Sequence, residues 1–209
     1  MPELHTAFFY GTLLHPKILQ SVIKHQGNEL RICPALVLDH TRHQIKETDY
    51  PGMLPYKKSR KLFPKELKAR DRTVRGTLVK GLTDADMALL DQFEGNEYKL
   101  EKIPVHPLGS LKPLSSSSDA DIPLEPPPLP PLDELPPSVE AQTYIWAGDL
   151  RDLRPDLWEY ADFVRENAWK WITDVNPVAA EHQREVNGVI TTREFVDADD
   201  GKQVKIVVE

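Results

Sequence analysis

Glu94 is the side chain of this 209-residue sequence best placed for acid–base chemistry. It sits in the run Asp91-Gln92-Phe93-Glu94-Gly95-Asn96-Glu97-Tyr98, where a helix predicted over residues 84–93 meets a glycine able to close it. The C-terminal end of a helix carries partial negative charge, so a charged carboxylate is disfavoured there. Burial pushes the same way, and both raise the pKa towards the range of a working acid/base. Taken alone, the motif reads equally as a solvated glutamate at a turn, and Asp91 and Glu97 are further acids beside it. Far upstream, Phe8-Phe9-Tyr10-Gly11-Thr12-Leu13 is a short apolar strand that breaks at glycine. Such a break leaves backbone N–H groups free to hold a small polar ligand, and Gly11 lets the backbone approach closely. The plain alternative is an ordinary strand-to-helix turn. A cradle of amides together with a misplaced acid is a candidate small-molecule active site.

Other chemistries find less support. The histidines at 5, 15, 25, 40, 43, 106 and 182 are dispersed, and His40 with His43 lacks a third ligand at a recognisable spacing, so no metal site is expected. Asp197, Asp199 and Asp200 lack the spacing and closing glutamate of a calcium loop and read as a turn. Cys33, the single cysteine, is expected to be a buried structural thiol. It cannot form an internal disulfide, which points to the reducing cytoplasm. No phosphate-binding or dinucleotide fingerprint occurs, and no cofactor is implied. A net charge of −7 argues against nucleic acid. The basic cluster Lys57-Lys58-Ser59-Arg60-Lys61 reads as a solvated loop. No apolar run is long enough to span a bilayer.

The elements that must position these residues form a mixed α/β pattern. Residues 6–10, 35–39 and 73–79 read as strands. Gly76 marks either a bulge or a close approach of another segment. Pro16 opens a short helix to about residue 26, with Gly27 closing it. Thr83 caps the helix that leads to Glu94, with Asp86 approximating a capping box. Residues 99–106 and 139–147 read as neighbouring strands separated by a proline-rich excursion over about 107–138. Proline removes donors and fixes φ, so that stretch is expected to be an extended, disordered insertion outside the sheets. Its PxxP content offers a possible protein contact of the SH3 type, although no basic residue between Pro113 and Pro137 would orient it. Beyond about residue 150 lies a C-terminal extension. Pro155 is expected to start a long helix to about residue 172, with Leu157, Ala161, Val164, Ala168 and Trp171 as its apolar stripe. Trp158, Trp169 and Trp171 read as packing anchors. Residues 193–196 and 204–208 read as a terminal β-hairpin.

Four short motifs, Tyr10-Gly11-Thr12-Leu13, Tyr50-Pro51-Gly52-Met53, Val74-Arg75-Gly76-Thr77-Leu78 and Leu90 through Tyr98, resemble in kind and order those of the gamma-glutamylcyclotransferase-like superfamily, in its AIG2-like and gamma-glutamylamine cyclotransferase branch. The resemblance covers about residues 6–147 without the insertion. It implies a single domain built on a small closed β-barrel flanked by helices. It implies a reaction in which the α-amine of a γ-glutamyl group attacks its own side-chain carbonyl, giving 5-oxoproline and a free amine or amino acid. By the same resemblance Glu94 is the general acid/base, and the loop of Tyr10, Gly11, Thr12 and Leu13 receives the γ-glutamyl group. Tyr98 directs its hydroxyl into the pocket or is a half-buried strand tyrosine, and Tyr50 lines the same cavity. Related chains often carry arginine two residues after the tyrosine matching Tyr98. Here Leu100 stands there, which removes a local ion pair but not the acid. The competing expectation is a non-catalytic small-ligand or partner-binding protein on the same barrel.

Overall fold

Five strands close on themselves around the apolar core. The computed structural model describes residues 4–117, 122–125, 127–168, 171, 191–196 and 203–208. The chain runs β1 (His5–Phe9), α1 (Pro16–Ile23), β2 (Arg31–Leu38), β3 (His40–Ile45), β4 (Pro51–Pro55), α2 (Tyr56–Ser59), β5 (Thr73–Leu82), α3 (Asp84–Glu94), β6 (Tyr98–Pro107), β7 (Lys112–Pro113), β8 (Val139–Trp146), β9 (Leu153–Leu157), α4 (Tyr160–Glu166), β10 (Thr191–Val196) and β11 (Gln203–Val208). The sheet order β5-β1-β8-β6-β2 is closed by pairing of β2 with β5, which makes a five-stranded barrel. Its ladders are antiparallel except for β1 with β8. Fully buried Phe8, Ala35, Leu78 and Val105 share one face of its strands by register, as expected where alternate strand positions face one interior. The helices flank this barrel, and α1 packs on α3.

Gly76 resolves its two readings in favour of close approach. The β2–β5 register runs unbroken through Ala35 and Gly76. A Cβ at Gly76 would stand 2.2 Å from the Phe9 carbonyl oxygen and 2.5 Å from the Phe8 ring. Only glycine lets β1 cross so near.

Three expectations need correction. Helix α1 ends at Ile23, not near residue 26, because Lys24 itself takes the left-handed conformation (φ 61°). That releases His25, whose Nδ1 accepts from Gly27 N and whose Nε2–H donates to Asp86. The proline-rich stretch joins a sheet at one point, where Lys112–Pro113 pairs with Arg31 and Ile32 of β2. Pro113 lies at a sheet edge, where a missing donor is harmless, and Leu114 follows it into full burial beneath Gly27. Farther along, Arg75 donates to the Pro127 carbonyl at 2.6 Å.

The long C-terminal helix is the third. Residues Leu153–Leu157 form a strand on β3, and the helix covers only Tyr160–Glu166. Pro155 lies in an edge strand, the third of the sheet β4-β3-β9, where proline is tolerated. The aromatic anchors remain: Trp158 is buried against Tyr160 and Phe163, and Trp171 meets Phe93 and Phe163 edge-on. Residues 169, 170 and 172 lie outside the described residues. Strands β10 and β11 pair antiparallel as expected; the turn with Asp197, Asp199 and Asp200 lies outside the described residues.

Candidate active site

Glu94 reaches its place because α3 starts and stops under local control. Thr83 accepts from Asp86 N, and Asp86 Oδ2 accepts in return from Thr83 N at 2.8 Å, a full capping box. At the other end Gly95 takes φ 70°, ψ −167°, a region open essentially to glycine. Its N–H bonds Asp91 O, and a tight turn over Gly95–Glu97 leads into β6. Glu94 is therefore the last residue of α3, half-buried, with Tyr98 a short turn away.

The strand break after β1 also has the expected shape. Thr12–Leu14 form a short 3-10 turn, closed by Leu14 N on Gly11 O at 3.0 Å and His15 N on Thr12 O at 3.1 Å. The amides of Gly11, Thr12 and Leu13 precede those bonds and take no part in closing the turn. A Cβ at Gly11 would lie 3.0 Å from Pro51 Cδ, so glycine lets the turn sit against the β4 entry.

These pieces share one cavity of about 310 Å³, within the usual size of a small-molecule site. Tyr10, Gly11, Thr12, Leu13, Tyr50, Glu94 and Tyr98 all line it, with Pro51, Asp91, Tyr144 and Trp171. Tyr98 is buried, and its hydroxyl donates to Pro51 O at 3.0 Å, so it braces the wall. Tyr10 donates to Tyr144 O at 2.6 Å and accepts from Met53 N at 3.4 Å. Tyr144 donates to Asp91 Oδ1 at 2.8 Å. Burial pushes the hydroxyl pKa of Tyr10 up and the charge of Glu94 adds to it; the bond from Met53 N and, less strongly, the nearby Arg42 oppose both. Burial likewise raises Tyr98, with Tyr10 and Glu94 contributing. Tyr144 is raised by burial, by its bond to Asp91 and by Glu94. Three neutral phenols thus surround the carboxylate, all held as donors.

Arg42 fixes this wall from behind. It is half-buried, its Nη1 donates to Tyr10 O at 2.7 Å, its Nε donates to Trp158 O at 3.0 Å, and its guanidinium stacks on Trp158 at 4.7 Å. Burial lowers its pKa to about 10, which leaves it charged at neutral pH.

Sequence reasoning missed Tyr144, Arg42 and the inward role of Asp91. Asp91 and Glu94 lie three residues apart on α3, a spacing that shares a face and would have paired them. Tyr144 and Arg42 offered no local signal, because barrel closure alone brings them in.

Elsewhere His43 does structural work: it is buried, with Nδ1–H donating to Arg154 O and Nε2 against the Thr41 hydroxyl, and burial lowers its pKa. Cys33 is buried with its thiol pKa pushed up. Among the described residues no cluster of three metal-binding side chains occurs, and no helix is long and apolar enough to cross a membrane.

Residues 7–170 match the family model described as gamma-glutamyl cyclotransferase, AIG2-like. The chain is 25% identical over 167 residues to AIG2-like protein D of Arabidopsis thaliana, covering 80% of each protein. It is 23% identical over 171 residues to Protein AIG2 C of the same plant, covering 82% of this chain and 79% of that one. An AIG2-like protein from Mus musculus superposes with a TM-score of 0.47 and 16% identity, over 76% of this chain and 87% of that one. The matched span runs from within β1 past β8 and contains every lining residue of the cavity except Trp171. This chain belongs to the gamma-glutamyl cyclotransferase, AIG2-like family.

Proposed function

We propose that the protein is a cofactor-independent γ-glutamyl cyclotransferase with Glu94 as its acid/base. The observation that carries this reading is the shared cavity, which a half-buried carboxylate and the Gly11–Leu13 turn line together. The substrate's α-ammonium gives a proton to Glu94, and its nitrogen then attacks the γ-carbonyl carbon. The bond from that carbon to the side-chain nitrogen breaks as Glu94 gives that proton to the departing nitrogen, and Glu94 then takes the excess proton of the new ring nitrogen and passes it to the released amine, which leaves as an ammonium. The products are 5-oxoproline and a free amine or amino acid, with no net proton, water or electron exchanged. This is acyl transfer within one molecule, of acyltransferase or lyase type. Amides of the turn at Gly11–Leu13 stabilise the oxyanion, the task for which fixed donors are most effective. Tyr50 and Tyr98 shape the pocket so that the substrate is held folded, which favours ring closure. The single thiol accords with a cytoplasmic protein.

The test is release of 5-oxoproline from a panel of γ-glutamyl compounds, followed by mass spectrometry. Glu94→Gln, with its fold confirmed by circular dichroism, should lower release about 10²–10⁴-fold, the usual weight of a positioned acid/base. Full activity in that variant would remove Glu94 from the chemistry.

A further inference from the structure

A second cavity, which shares no lining residue with the first, lies between β2, β5, the start of α4 and the proline-rich segment. It encloses about 450 Å³. Its walls are mainly apolar, with Ile32 on the barrel side and Ile122 and Leu129 on the other. Polar side chains interrupt them: the trio Arg42, Arg75 and Thr77 from β3 and β5, and Thr73, Lys112, Ser117, Glu159 and Tyr160 besides.

None of the three is well served by the protein. The Thr77 hydroxyl is buried without a hydrogen-bond partner among the described residues. Arg42 spends Nε and Nη1 on the Trp158 and Tyr10 carbonyls, while Nη2 has only Glu159 near, at 3.9 Å. That is beyond hydrogen-bond reach, and the Glu159 side chain is 63% exposed. Arg75 is half-buried and gives Nη2 to the Pro127 carbonyl, a neutral partner. Both arginines line the cavity, and Arg42 Nη1 also lies 3.4 Å from the Arg75 backbone carbonyl. Two guanidinium groups and an unpartnered hydroxyl therefore border an apolar space that the exposed Lys112 also rims, and the one acid on its lining, Glu159, stands largely in water. Leaving such donors unmet is costly, and a planar guanidinium fork matches a carboxylate in shape and charge.

We propose that this cavity is a binding site for a small apolar monocarboxylate. Its carboxylate lies between Arg42 and Arg75 and accepts from Thr77, and its hydrocarbon body fills the space beneath the proline-rich segment. The site shares no lining residue with the first cavity, although Arg42 also braces that cavity's wall through Tyr10 O, and it stands whether or not the cyclotransferase reading holds.

The test is isothermal titration of the full chain with decanoate, and with decanol as the uncharged control. Decanoate should bind saturably and more tightly than decanol. Arg75→Met should weaken decanoate about tenfold, the effect of losing one charge-assisted contact, and leave decanol unchanged. Thr77→Val keeps the shape and removes the unmet hydroxyl, so it should raise the unfolding midpoint while weakening decanoate. Ala161→Trp, from a half-buried position on the cavity wall, should block both ligands. Absence of saturable binding, equal affinity for decanol, or indifference to Arg75→Met would each overturn the proposal.

Discussion

Tyr10, Tyr98 and Tyr144 stand around one carboxylate, and each has a hydroxyl pKa above the ordinary 10.0, with burial the first cause. Because the folded value is raised, the native protein keeps these protons where the unfolded chain begins to release them. Their contribution to stability is complete below pH 10.0 and is lost progressively as the pH climbs towards the raised values. A near-ultraviolet absorbance titration should find three of the six tyrosines ionising only as the fold is lost. Reversible titration of all six in the native protein would contradict the hydrogen bonds described. The sequence made Glu94 and the Tyr10–Leu13 turn legible because each depends on a neighbouring glycine. It could not reveal that Tyr98 turns its hydroxyl to the Pro51 carbonyl, since a half-buried strand tyrosine allows either direction.

At the scale of elements, α3 is the lever that holds Glu94, and its first turn is tied to the end of α1. Burial alone would raise the Asp86 carboxyl, but bonds from Thr83 and His25 outweigh it and hold its pKa below the ordinary 3.8. The folded value is depressed, so this stabilisation is present above pH 3.8 and fades as the pH falls through the lowered value. Thr83→Ala should cost about 1 kcal/mol, the usual weight of a helix cap, read as a lower urea midpoint at neutral pH. Asp86→Asn should flatten the acid limb of the stability profile. The capping box was visible in the spacing of Thr83 and Asp86, whereas the His25 bridge was not, because it depends on Lys24 ending α1 early. The C-terminal segment misled for a physical reason. Apolar residues at three- and four-residue spacing after Pro155 fit a helix, but β3 had an open edge, and pairing with it satisfied the backbone of Leu153–Leu157 instead.

Across the whole molecule, Arg42 joins parts that are distant in sequence: the β1 exit through Tyr10 O, the α4 entry through Trp158 O, and β5 through Arg75 O. Arg42→Ala leaves the Tyr10 and Trp158 carbonyls without these donors and should cost about 3 kcal/mol, measured by denaturant unfolding. Arg42→Lys should recover little of it, because one ammonium cannot replace a planar fork spanning several carbonyls. The barrel was foreseeable only through the order of its motifs. Closure depends on pairs such as Ala7 with Gln142, which no local pattern encodes. That parallel pairing also sets an order of assembly. On a ribosome, β1, β2 and β5 can align once residue 82 has emerged, yet the barrel stays open until β8 arrives with Tyr144, after the whole proline-rich stretch has been made. Lengthening that stretch adds little closure entropy, so translation through it delays the last strand without greatly penalising its docking. The pocket around Glu94 is therefore among the last parts of a nascent chain to take shape.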